Sequence, residues 1–401
     1  MTTFTLFLAI FLAIFTKAQQ NPTLYNTLGT TWANNTYLDK ATNDLYICYT
    51  QDGFITKVNL NAANLAQTTV ISGLTLPVDM TVVNNKLYFI EGASGVDSTP
   101  MQNPIPNTGK LYSLDLSVSG ATKQLLMSGL NTPLKLEGSS TYMIIDENTF
   151  DSTTGEILTE QVSKLNLSGT PSKTLLMSRT NTAGVTNQKS FEKLVLVGDK
   201  LYANSFYYTD IQSHFYEYNL LNNNYNVTHT MLSNHPFAFA VNQNKIYYST
   251  GSGSPKSFSL LFNSSTPVQI TAPFTYNSEQ IYFEDWHFDN NNNAYIYTSG
   301  FDFNTNIETM KLFKYNATQL LSTIELTKSN RVVLSPNPTK STLNFSEELS
   351  EIKIVDISGK QVLANQSKIK TINVENLVKG NYLITGKDKN GKTLTEKFIK
   401  E

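Results

Sequence analysis

The chain has 401 residues, 40% hydrophobic and 11% aromatic against 15% charged, and its 30 lysines and arginines nearly balance 32 acidic residues. That is enough apolar material for a large core and few charges for helix surfaces, so a strand-rich structure is expected. Residues 331–401 carry 12 basic and 8 acidic side chains while residues 19–330 carry 17 and 24; a mildly acidic body with no basic patch argues against nucleic acid as a partner.

At the start, Leu6 to Phe15 is an unbroken apolar run of ten residues, followed by Thr16-Lys17-Ala18-Gln19-Gln20. The length suits the core of a signal peptide and is too short to span a bilayer as a helix, so residues 1–18 are read as an export signal cleaved after Ala18. No Lys or Arg precedes the core, which departs from the usual pattern. No other stretch approaches eighteen apolar residues, so no transmembrane segment is expected. Cys48 is the sole cysteine and has no intrachain partner. In Leu45-Tyr46-Ile47-Cys48-Tyr49 it reads as a buried strand residue.

Residues 19–328 contain a repeat. Each unit has an apolar strand, a polar turn, a strand centred on a tyrosine, a variable loop, and a third strand ending in Asn or Asp. The tyrosines are Tyr46, Tyr88, Tyr142, Tyr202, Tyr247 and Tyr295, separated by 42, 54, 60, 45 and 48 residues. Third strands recur as Lys57-Val58-Asn59-Leu60, Leu111-Tyr112-Ser113-Leu114-Asp115, Lys164-Leu165-Asn166-Leu167 and Lys311-Leu312-Phe313-Lys314-Tyr315-Asn316. Periods of this size signal propellers or arrays. The six units resemble a six-bladed β-propeller, close in pattern to proteins of the NHL and SMP-30 type.

First strands of such an array line its central channel. A residue eleven before the tyrosine opens three of them, at Pro77, Phe191 and Pro236, and Glu284 shares this column in the sixth unit. Asp79, Lys193, Trp286 and Lys135 are then expected at the channel or its mouth. Length variation is assigned to loops between second and third strands, about 91–109, 146–161, 203–214 and 299–308, on the face that also carries the connections between units. Exposed aromatics there, Phe150, Phe206, Tyr207, Tyr208, Phe301 and Phe303, would supply contact area. The candidate ligand-binding residues are Trp286, Asp79, Lys193, Glu284, Tyr207, Tyr208 and Phe301.

Catalytic signals are thin. Glu284-Asp285-Trp286-His287 is the densest polar cluster, and strict alternation sends Glu284 and Trp286 to one side, Asp285 and His287 to the other. Asp289-Asn290-Asn291-Asn292-Asn293 lacks the Gly and bidentate Glu of a calcium loop. His214, His229, His235 and His287 show no zinc spacing, and no nucleophile elbow or phosphate-binding motif followed by a helix is present. No catalytic residue, metal or cofactor is expected. The reading is a binding protein for an extracellular polysaccharide, peptide or protein partner through its loop-rich face; the alternative is a propeller hydrolase or lyase acting on an extracellular polymer.

The last stretch, 329–401, reads as a separate small β-sandwich. Pro336 and Pro338 cannot donate to a ladder, and alternation recurs in Leu343-Asn344-Phe345, Ile352-Lys353-Ile354 and Ile372-Asn373-Val374, punctuated by Ser358-Gly359 and Asn390-Gly391. The blocks Pro336-Asn337-Pro338, Asp356 with Gly359-Lys360, Leu377-Val378-Lys379-Gly380-Asn381-Tyr382 and Lys397-Phe398-Ile399-Lys400 resemble the type A C-terminal sorting domain of type IX secretion cargo. That resemblance implies an immunoglobulin-like sandwich, recognition by the secretion machinery through these residues, and a protein outside the cell or on its outer surface after passage through the periplasm.

Overall fold

In the computed structural model, the described residues are 21–401 apart from 32, 34, 93–104, 152–156, 168–170, 182–188, 208–211, 233–235, 251–253, 263, 265, 272, 317–319, 321–333, 357–359 and 389–392. The expected signal peptide lies outside them. The protein is all-β, and it divides into two compact units, Met1–Thr323 and Ile324–Glu401.

In the first unit, six four-stranded antiparallel sheets succeed one another along the chain. The first comprises Asn35–Asp39, Asp44–Tyr49, Phe54–Asn59 and Thr68–Ser72; the second Pro77–Val83, Lys86–Glu91, Gly109–Asp115 and Gln124–Leu130. The third comprises Pro133–Gly138, Tyr142–Phe150, Ile157–Asn166 and Ser172–Thr180; the fourth Lys189–Val197, Lys200–Tyr207, Gln212–Asn219 and Asn224–Leu232. The fifth comprises Pro236–Asn242, Lys245–Thr250, Lys256–Leu261 and Val268–Gln269; the sixth Gln280–Phe288, Ala294–Asp302 and Ile307–Tyr315, completed by Thr23–Gly29 from the start of the chain. The strand that completes the sixth sheet was not foreseen in the sequence. It also ties that sheet to the first, where Tyr25 Oη donates to Leu60 O at 2.6 Å and Asn26 Nδ2 to Leu65 O at 3.0 Å.

The six first strands adjoin in cyclic order, the sixth touching the first. Each apolar cluster of the unit is shared by two neighbouring sheets: Leu45, Ile47 and Tyr49 pack on Tyr295, Tyr297 and Leu312, while Tyr46, Cys48 and Ile55 pack on Met80, Leu87 and Phe89. Every residue of Asp44–Tyr49 is buried for this reason, one alternate set facing each neighbour. A strand covered on both faces reads as a continuous apolar run, as this one does. Tight turns close the first hairpins, and Asn84, Asn85, Gln243 and Asn244 adopt positive φ there, a conformation Asn tolerates better than most residues.

Three of the four expected long loops are largely ladder instead; most of the other, 93–104 within 91–109, lies outside the described residues. In the third, fourth and sixth sheets the second and third strands extend as paired hairpins, with Thr149 opposite Thr159, Phe206 opposite Ser213 and Phe301 opposite Glu308. Added residues that keep alternation and find cross-strand partners lengthen strands before they form loops.

In the second unit, the strand Thr342–Asp356 is shared between two sheets. Its first half pairs with Leu334–Ser335 and Ile369–Asn373, its second half with Gln361–Asn365 and Gly380–Lys387, and Thr393–Lys400 completes the latter sheet. Leu343, Phe345, Ile352, Ile354, Ile372, Tyr382, Ile384 and Phe398 form its core.

Candidate functional site

A cavity of about 560 Å³ runs along the axis of the first unit and is lined from all six first strands. The side chains that reach it are set by a recurrent bulge. Between Pro77 and Asp79, Pro133 and Lys135, Phe191 and Lys193, Pro236 and Ala238, and Phe283 and Asp285 the register slips by one residue. An extra residue in a first strand re-aims the side chains beyond it. The residue after the bulge forms a ring around the axis: Asp79, Lys135, Lys193, Ala238 and Asp285, with Asn35 opposite Cys48 at the same level of the first sheet.

This ring is polarised. Asn35, Asp79 and Asp285, on the contiguous first, second and sixth sheets respectively, each accept the next residue's backbone N–H through a side-chain oxygen, at 2.9, 2.7 and 2.8 Å. The third and fourth sheets contribute lysines. Lys193 of the fourth sheet pairs with Asp285 of the sixth. Asp285 Oδ2 also accepts from Thr36 Oγ1 at 3.1 Å and lies 3.2 Å from His287 Nε2, which is 2.7 Å from the same hydroxyl. Burial alone would raise the Asp285 carboxyl, but Lys193 and His287 overcome it and hold the group well below the usual carboxylate range.

Three other carboxyls lining the cavity, Asp79, Glu137 and Glu284, move the opposite way. Asp79, only 7% exposed, is pushed up to about 7 by burial, against the N–H groups of Leu136 and Met80 and the charges of Lys135 and Lys193. Its Oδ2 accepts from Leu136 N at 2.7 Å, joining the second sheet to the third. Glu137 is pushed up to about 8 by burial first and the Asp79 charge second. Glu284 is raised by burial despite accepting from Ser299 Oγ at 2.6 Å. Among the described residues no group of three His, Cys, Asp or Glu side chains could hold a metal ion.

The structure places Asp79, Lys193, Glu284 and Lys135 on the cavity wall. Trp286 is also on the lining, but it is only 1% exposed: it packs between the fifth and sixth sheets, stacks on Tyr315 with ring centres 5.8 Å apart and donates Nε1–H to Ser249 Oγ at 2.7 Å. The strict alternation expected of Glu284 to His287 is corrected by the bulge at Glu284, which leaves Glu284, Asp285 and His287 together at the cavity. The column is corrected too: Phe283, not Glu284, is the counterpart of Pro77, because the sixth hairpin replaces one rung with the wider turn at 289–293 and gains one residue net. Phe301 packs edge-on to Phe303 at 4.8 Å on the extended sixth hairpin. Tyr207 ends a strand of the fourth sheet; Tyr208 lies outside the described residues. Asn35, Thr36, Glu137 and Asp285 were not singled out individually from the sequence. A signal for the third sheet existed, since Pro133 with Lys135 repeats the spacing of Pro77 with Asp79.

In the second unit the quoted blocks make local clasps. Asn337 Nδ2 donates to Lys397 O at 3.0 Å and its Oδ1 accepts from Ile399 N at 2.9 Å, fastening the Pro336–Pro338 segment to the last strand. Lys360 N donates to Asp356 Oδ1 at 3.1 Å, and Tyr382 Oη donates to Val378 O at 2.6 Å, bracing the turn before Gly380. Lys400 is buried and Lys397 exposed; Gly359 lies outside the described residues.

Residues 334–401 match the family described as "Secretion system C-terminal sorting domain". The tail is a type IX secretion sorting domain. It implies export to the cell surface or extracellular space, and no helix among the described residues is long and apolar enough to cross a membrane. No curated protein matches the chain. Among solved structures, a luciferin-regenerating enzyme is 12% identical, with 74% of this chain and 96% of that one covered at a TM-score of 0.50. A gluconolactonase from Xanthomonas campestris is 12% identical with the same coverage at 0.46. The Myceliophteria thermophila Cps50 (Swd1) β-propeller domain is 10% identical, covering 71% and 98% at 0.41. At these identities the likeness concerns fold alone, and the exported body is a β-propeller.

Proposed function

We propose that the chain is a type IX secretion cargo whose six-bladed propeller, residues 19–328, binds a small polar extracellular ligand in its axial cavity. In this reading residues 1–18 are an export signal, and residues 329–401 form an immunoglobulin-like sandwich that is recognised during passage. The observation that carries the binding assignment is the convergence of polar side chains from six strands on one axial cavity, the arrangement expected of a small-molecule site. The exposed part of its lining is Lys40, Ala41, Val197, Gly198 and Gln243. These sit at the turns between first and second strands, so entry is assigned to that face and not to the face of the extended hairpins. A polymer would engage such a site only through a terminal unit. Acid–base chemistry is the second reading, favoured by Asp79 and Glu137 carrying protons near neutral pH.

A thermal-shift screen of small sugars, sugar acids, amino acids and amines tests the assignment, with Val197→Trp as the control. Val197 is 44% exposed, so an indole there narrows the mouth without overpacking the core. A ligand that raises the melting temperature of the parent and not of the variant supports the cavity. A ligand indifferent to the variant moves the site elsewhere, and product formation during the screen selects the enzyme reading.

A further inference from the structure

On the ring at the bulge level Asp285 and Asn35 form an arc of oxygen acceptors, Asp79 has both oxygens engaged by backbone N–H groups, and Lys135 and Lys193 supply two ammonium groups. Lys193 is engaged by Asp285. Lys135 lines the cavity and, among the described residues, makes no hydrogen bond or ion pair, although Asp79, Asp146 and Glu160 lie within its field. An ammonium has three donors and no acceptor. Lys135 is half-buried, so part of this donor capacity faces the open cavity.

We infer that the cavity binds a small dipolar carboxylate, its anionic group on Lys135 and its own donors, hydroxyl or ammonium, on the oxygen arc opposite. This rests on the axial-site reading given above. Three features select that class. The unpaired cation calls for an anion of matching size, and a charge-assisted contact to a carboxylate is among the stronger hydrogen bonds. The opposite arc presents oxygens, so the far end of the ligand must donate. The remaining wall, with Glu137, Glu192, Glu284 and Asp39 against Lys40 and His287, is too acidic for a polyanion. The protons held by Asp79 and Glu137 reduce repulsion of the bound carboxylate near neutral pH. Two sources share this chemistry, sugar acids and amino acids, and they differ in whether the donors are hydroxyls or an ammonium.

Titration calorimetry on the full chain decides it, with glucuronate, glucose, glucosamine, glutamine and glutamine methyl ester as probes. At least one carboxylate is expected to bind ten times more tightly than its uncharged or esterified counterpart. That preference is expected to disappear in Lys135→Met, return in Lys135→Arg, and weaken as pH rises through about 7 to 8, where the folded Asp79 and Glu137 ionise. Glucuronate binding selects the hydroxyl source, glutamine binding the ammonium source. Glucose, glucosamine or the ester binding as well as the acids overturns the carboxylate assignment and leaves the axial site standing, as does a preference unchanged in Lys135→Met. If neither these five probes nor any member of the broader screen binds in a manner sensitive to Val197→Trp, both inferences fall.

Discussion

Trp286 separates two accounts of the body, because a ligand-stacking indole and a core indole respond differently to truncation. Trp286→Ala removes a fully buried ring that stacks on Tyr315 and packs on Tyr247 and Phe288. Buried Trp→Ala changes cost about 3–5 kcal/mol through lost transfer energy and the cavity left behind. The variant also strips Ser249 Oγ of its 2.7 Å donor, leaving it a 3.4 Å contact to Ser257, for about 1 kcal/mol more. A loss of about 5 kcal/mol in a body of this size lowers the melting temperature by roughly 10 °C. Trp286→Phe keeps most of the stack and loses the donor, so about 1–2 kcal/mol is expected. Differential scanning calorimetry of the two variants, with ligand titration of Trp286→Phe, reads both quantities. A Trp286→Ala protein melting within 2 or so degrees of the parent yet unable to bind ligand would refute the structural assignment.

The same contacts dictate other outcomes. Asp79 and Glu137 bind protons more readily folded than unfolded, so their contribution makes stability fall as pH rises from about 4 to 8; Glu137→Gln is expected to melt above the parent near pH 9 and with it near pH 4, and the reverse order would contradict the burial assigned to Glu137. Asp285 acts oppositely: its depressed carboxyl stabilises the fold above its unfolded pKa and ceases to as acid protonates it, so Asp285→Asn should destabilise at neutral pH, with the deficit shrinking in acid-unfolding curves. Removing residues 1–30 deletes the strand that completes the sixth sheet, exposes the edge of Ile307–Tyr315 and uncovers Tyr295, and is expected to lower the melting temperature by about 10 °C or more. Deleting 334–401 should leave the body's melting transition unchanged and retain the protein inside cells; its appearance in the medium would defeat the sorting role.

The repeat of tyrosines was legible because each sits in a second strand covered by sheets on both sides, which forces the same apolar run into every unit. Closure by Thr23–Gly29 was not, since an edge strand with one covered face carries little apolar signal, and its partner lies some 290 residues away. The site was half legible for a related reason. Pro77, Pro133 and Pro236 mark the residue before the bulge because that position needs no ladder N–H. A bulge adds one residue and reverses the sides of all later residues in the strand. Counting back from Tyr295 by the interval of the other units made Trp286 the axial residue, because the wider turn at 289–293 adds one residue to the sixth hairpin; one step of register exchanges that indole for Asp285.

The same step changes the chemistry available to the body. With an indole on the axis the ring would read acid, lysine, lysine, alanine, aromatic, a surface suited to stacking. With Asp285 there, Lys193 gains a partner, and its neighbour Lys135 has none among the described residues. Lys193→Met therefore tests the wiring of the ring. The Lys193 ammonium is the largest influence holding the buried Asp285 carboxyl down, so without it that carboxyl is expected to rise toward the usual carboxylate range. A variant that folds and keeps the Asp285 titration of the parent would show that the cross-axis pair does not set the cavity's charge.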